Sequence, residues 1–215
     1  MRVSYHRQIV DAVKKIEAGH LEDAVLVLQE FLTEYPESIE GWYNLGYALS
    51  MLSRNEEALK AYDEALAIDN MVFEVWFNKG TLLYEMRDFK AAMECYKHAL
   101  EINPEDAEAW NNLGNCHSRM AEGRKAIEAY TRAVALKPDY AEALYNKANA
   151  HYIEGEHEHA VAYGELAMQL DPRLSRLVLE WIDLARCALD AERREEEYRR
   201  QRKTGSDGDL RVDDS

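Results

Sequence analysis

The apolar residues of this chain fall three and four apart, as on one face of a helix, and that helical pattern recurs every 34 residues. In registers 5–38, 39–72, 73–106, 107–140 and 141–174, position 20 is always alanine: Ala24, Ala58, Ala92, Ala126 and Ala160. Position 8 is always small (Ala12, Gly46, Gly80, Gly114, Ala148), and position 27 reads Phe31, Ala65, Ala99, Ala133, Ala167. Position 4 reads Gln8, Trp42, Trp76, Trp110, Leu144, and position 24 reads Leu28, Tyr62, Tyr96, Tyr130, Gly164. Small residues let two helix backbones approach, and the large rings fill the space beside them, so the Trp and Tyr columns are assigned to the core. All four prolines, Pro36, Pro104, Pro138 and Pro172, occupy position 32, where Asn70 is the exception. Proline cannot continue a helix and marks the stop.

The run Trp42, Leu45, Gly46, then Ala58, Tyr62 and Ala65, strongly resembles the tetratricopeptide repeat (TPR), whose pattern is W-x2-L-G-x2-Y, A-x3-F, P. The resemblance covers 5–174 and is closest over 39–140. It implies an all-α fold, a right-handed TPR superhelix (α-solenoid) of antiparallel helix pairs, with helix A at positions 1–14 and helix B at about 17–31 of each repeat. Position 11 departs from tyrosine (Leu49, Leu83, His117, His151), and the first repeat lacks the Trp and Gly. Residues 1–4 read as an N-terminal extension. Beyond the repeats, Leu174, Leu177, Val178, Trp181, Ile182, Ala185, Ala188 and Leu189 keep helical spacing on one face. Residues 175–203 thus read as a capping helix, Trp181 covering the last repeat, with a charged extension from Glu192. The segment 204–215, TGSDGDLRVDDS, reads as a disordered acidic tail.

In TPR proteins, positions 2, 5, 6, 9, 12 and 13 of helix A line a concave groove. Position 6 gives Asn44, Asn78, Asn112 and Asn146, with Val10 breaking the series; Asn115 and Asn149 follow at position 9. A primary amide can meet both the C=O and the N–H of a peptide backbone. The row is similar to the asparagine ladder of the O-linked N-acetylglucosamine transferase superhelix, although nothing here resembles that family's catalytic part. Tyr43, Tyr47, Phe77, Tyr84, Tyr145 and Tyr152 add aromatic anchors at positions 5, 9 and 12. Glu40, Glu74, Glu108 and Glu142 at position 2 form an acidic row, which also complements the helix dipole. The resemblance thus implies a non-catalytic scaffold or adaptor holding a peptide or helical segment of another protein. The two-carboxylate clamp of co-chaperone TPR domains is missing: position 2 is glutamate in repeats two to five, position 5 is never lysine and position 6 never arginine. A co-chaperone role would have to work without it. Self-association through Trp181 and the charged helix, giving a homo-oligomer, is the alternative.

Charge narrows the partner. The net −15 lies almost wholly before residue 173, and no Lys or Arg occurs between Lys15 and Arg54. Such a surface repels phosphate backbones, so nucleic acid is not expected and a basic or neutral polypeptide is. No stretch reaches the roughly 18 apolar residues of a membrane span, and MRVSYHRQIV has no signal-peptide core. Cys95, Cys116 and Cys187 show no paired spacing, which suits reduced thiols and a cytoplasmic location. His157 and His159 are two apart on a helix and do not face each other, and His151 sits at core position 11. No metal, cofactor or catalytic residue is therefore expected, and no phosphate loop, nucleophile elbow or HExxH occurs.

Overall fold

A computed structural model describes residues 2–206 of the chain, with side chains for 7–202. Every register yields a helix pair: α1 (Arg2–Glu17) and α2 (Leu21–Glu34), α3 (Ile39–Met51) and α4 (Asn55–Ile68), α5 (Phe73–Glu85) and α6 (Phe89–Ile102). The fourth and fifth give α7 (Ala107–Arg119) and α8 (Gly123–Leu136), then α9 (Ala141–Ile153) and α10 (His157–Leu170). A 3-10 turn, Pro172–Leu174, leads into α11 (Ser175–Ser206). No strand occurs among the described residues. Two boundaries differ from the sequence reading. Helix α1 begins at Arg2, so the expected extension 1–4 is helical from its second residue. Helix α11 runs through Ser206, so 204–206 continue a helix rather than a disordered tail; the remainder of that tail, 207–215, lies outside the described residues.

The helix starts have local causes. Ser38, Asp88 and Asp106 precede α3, α6 and α7, and each side chain accepts from a backbone N–H three residues on, at 3.0, 3.1 and 2.7 Å. Within each repeat the turn from helix A to helix B places one residue in the left-handed region, always at position 15: Gly19, Ser53, Arg87, Ala121 and Gly155, with φ between 58° and 77°. The next backbone N–H then reaches back to the last turn of helix A, as in Arg54 to Leu49 and Asp88 to Leu83, both 2.9 Å. This is the Schellman closure of a helix end.

The chain divides after Ala121 into two compact units, Met1–Ala121 and Glu122–Ser215. The first holds α1–α7. Its core includes Ile9, Ala12, Leu28, Phe31, Leu45, Ala58, Tyr62 and Ala65. The small-beside-aromatic pairing is literal there: a Cβ on Gly46 would stand 2.7 Å from the Tyr62 ring, and one on Gly80 would stand 3.1 Å from Tyr96. Burial pushes both phenols upward. The Tyr96 hydroxyl is 3.1 Å from that of Thr81, so its polar end is satisfied. Cys95 and Cys116 are buried, and desolvation pushes their thiols up to about 11 and about 12, which makes them inert hydrophobes at neutral pH.

The tryptophan column departs from its core assignment. Trp42, Trp76 and Trp110 are half-buried. Each indole N–H donates to the carbonyl six residues earlier: Pro36 at 2.7 Å, Asn70 at 2.9 Å, Pro104 at 2.9 Å. An indole must keep its N–H on a partner, and here the partner is the surface turn that enters helix A. The tryptophan and proline columns are thus one device, and Asn70 can stand in for proline because the bond uses the backbone carbonyl and not the proline ring.

The second unit holds α8–α11. Ala126, Tyr130 and Ala150 form one small cluster. A second joins Ala148 and Ala160 to Val178, Trp181, Ile182 and Ala185 of α11. Gly164 stands where the three middle repeats carry tyrosine, and the space is taken by α11: a Cβ there would lie 3.0 Å from Trp181 and 3.1 Å from Val178. Tyr152 stacks on the Trp181 ring at 5.1 Å.

Candidate interaction surface

In the first unit the candidate face is built from α3, α5 and α7, which carry Tyr43, Asn44, Tyr47, Phe77, Asn78, Asn112 and Asn115. Helices α3 and α5 are neighbours, as are α5 and α7. One direct link between repeats is a hydrogen bond on this face: Asn78 Nδ2 donates to the Tyr43 hydroxyl at 3.1 Å. The same nitrogen donates to the Glu74 carbonyl of its own helix at 2.8 Å, as Asn44 does to the Glu40 carbonyl at 2.7 Å. Both amide hydrogens of Asn78 are therefore engaged, and what it offers a ligand is its oxygen. The sequence reading of these amides as combined donors and acceptors narrows, at Asn78, to an acceptor.

The aromatic positions divide by what they touch. Tyr47 is exposed. Tyr43 is half-buried, its ring 6.5 Å from that of Tyr62, and burial raises its phenol with the Glu74 carboxylate adding to the effect. Phe77 lies between Phe73 at 5.6 Å and Tyr96 at 5.8 Å, and Tyr84 packs edge-on to Phe89 at 5.3 Å. Glu40, Glu74 and Glu108 are all exposed in the first turns of their helices. The face therefore carries exposed carboxylates, the Asn78 amide oxygen and one open tyrosine, groups that attract N–H donors.

Tyr145, Asn146 and Asn149 lie on α9 in the second unit, all half-buried. Tyr145 packs against the cluster around Trp181 and Ile182, so its ring is part of the seat of α11. The structure also brings together His151, Glu156 and His159, a group the sequence reading did not assemble because the contact crosses the turn between two helices.

Family profiles described as tetratricopeptide repeat match 39–70, 73–106 and 107–140, and a TPR repeat profile matches 124–162, together more than half of the chain. Among curated proteins, none matches the sequence. Solved structures with similar folds include MamA from Desulfovibrio magneticus, 22% identical with TM-score 0.73, covering 80% of this chain and 97% of that one. YrrB, described as a TPR protein with an unusual peptide-binding site, is 20% identical with TM-score 0.69, over 86% of this chain and 90% of its own. PilF of Pseudomonas aeruginosa is 23% identical with TM-score 0.70, over 89% and 92%. With profile matches in four of the five registers and helix pairs in all of them, the chain belongs to the tetratricopeptide repeat family.

Proposed function

We propose that this protein is a non-catalytic interaction scaffold whose first unit holds a basic or neutral peptide segment against α3, α5 and α7. The observation that carries the reading is the Tyr43–Asn78 pair, which joins two repeats and leaves the Asn78 oxygen for a ligand on helices that also carry exposed Tyr47, Glu40 and Glu74. Backbone N–H groups and lysine or arginine side chains are the donors such a face would take. A peptide library displayed against the protein at low salt should yield basic sequences. Asn78→Ala combined with Asn112→Ala should weaken them roughly ten- to a hundredfold, at about 0.5–1.5 kcal/mol for each lost hydrogen bond, while helicity by circular dichroism stays unchanged. Equal affinity for both proteins would place binding elsewhere.

Self-association is the second reading, with a changed surface. Trp181 is buried within its own unit and cannot carry it. Leu177 and Leu184, seven residues apart on the outer side of α11, are 42% and 62% exposed. Leu177→Lys with Leu184→Lys should then reduce the mass seen by light scattering.

A further inference from the structure

We propose that the turn joining α9 to α10 is a binding site for a divalent transition metal of the Zn2+ type, held by His151, Glu156 and His159. The proposal stands independently of the peptide-binding reading. The three residues come from the last turn of α9, the N-cap of α10 and the first turn of α10. Their ligand atoms all lie within 4.8 Å of one another.

The three side chains already converge. His151 is 6% exposed, yet its Nε2 is buried without a hydrogen-bond partner, while its Nδ1 meets Glu156 Oε2 at 2.6 Å. Glu156 occupies an N-cap and does not cap; its carboxylate turns to the two imidazoles, with His159 Nδ1 at 3.9 Å. The rings of His151 and His159 lie 5.0 Å apart and 22° from parallel. Tyr163 lies alongside both rings, its centroid 5.6 Å from that of His151 and 6.4 Å from that of His159.

Two imidazoles and a carboxylate are a borderline donor set, suited to Zn2+ with a fourth position left for water. Tetrahedral donors about 2.0–2.2 Å from the ion stand about 3.3–3.6 Å from each other. The 2.6 Å separation must open and the 3.9 Å one close, and the exposed His159 ring must turn out of its stack on His151 so that its in-plane nitrogen faces the ion; rotamer changes of His159 and Glu156 supply this. Lys147, whose ammonium sits 4.0 Å from the Tyr163 ring centroid, opposes a cation and limits affinity. A bound ion would tie the end of α9 to the start of α10, adding to the stability of the second unit in proportion to occupancy.

The test uses the untagged full chain, stripped with chelator and titrated with ZnCl2 by calorimetry, and with Co2+ by absorbance. One Zn2+ per chain should bind with a Kd below about 10 µM. His159→Ala and Glu156→Gln should each weaken it at least about tenfold and abolish any rise in melting temperature with Zn2+. Both side chains are largely exposed, so these variants should fold. His157→Ala, whose Nδ1 pairs with Glu192 at 2.9 Å, and Cys187→Ser, an exposed thiol, should leave binding unchanged. The Co2+ spectrum should lack a thiolate charge-transfer band. No binding in this range, retained binding in His159→Ala or Glu156→Gln, or loss in Cys187→Ser or His157→Ala would each overturn the proposal.

Discussion

At the scale of single residues, the spacing between helices is set by columns in which a missing side chain meets a ring. Gly46 faces Tyr62 and Gly80 faces Tyr96, but the two are not equally tight, with 2.7 and 3.1 Å to a notional Cβ. Tyr62 is fully buried and cannot swing away, so an added methyl must push the helices apart. Gly46→Ala should therefore cost about 1–3 kcal/mol and Gly80→Ala less, in spite of alanine's better helix propensity. Urea unfolding of the two variants checks the order; equal or stabilising effects would mean that the rings relax freely. These columns were legible in the sequence because both partners are one-letter signals at a fixed offset. The tryptophan column was legible as a column, but not in its placement. Burial was inferred from ring size, whereas the indole N–H needs a carbonyl, and the nearest lies at the surface turn around Pro36, Asn70 or Pro104.

At the scale of the helix pair, the turn is the feature the sequence hid. Position 15 adopts positive φ in all five repeats, but glycine marks it only at Gly19 and Gly155. Ser53, Arg87 and Ala121 take the same conformation because the closure bonds across each turn fix it, and every L-residue there carries strain of about 1 kcal/mol. Arg87 and Ser53 are exposed, so replacement removes little packing. Arg87→Gly and Ser53→Gly should each stabilise the first unit by about 0.5–1 kcal/mol, against the usual direction of a change to glycine. Thermal melts decide it: a lower melting temperature in both would mean that the side chains contribute more than the strain costs. The same turn geometry explains why the histidine cluster escaped sequence reasoning. His151 and His159 are eight residues apart on different helices, and only the reversal at Gly155 brings their rings to 5.0 Å.

At the scale of the whole molecule, the chain comprises two compact units, and the second depends on a helix outside the repeat pattern. Gly164 of α10 packs directly against Trp181 and Val178 of α11, and Ala148 and Ala160 belong to the same cluster. The cover comes from Val178, Trp181, Ile182 and Ala185, all buried. At about 1.5–3 kcal/mol for each large apolar side chain removed from water, the three larger ones contribute on the order of 5–8 kcal/mol. That is comparable to the entire stability of a typical small domain. A chain ending at residue 173 should therefore keep the first unit folded and lose the second. Hydrogen exchange should show amide protection persisting in α3–α6 and collapsing in α9 and α10. Trp181→Ala is the milder version: it should cost about 3–5 kcal/mol and lower protection in α9 and α10 without affecting the first unit. If the truncated chain retained full protection over 141–170, α11 would be an appendage resting on a self-sufficient repeat. The apolar side chains on its inner face would then be present for some other contact.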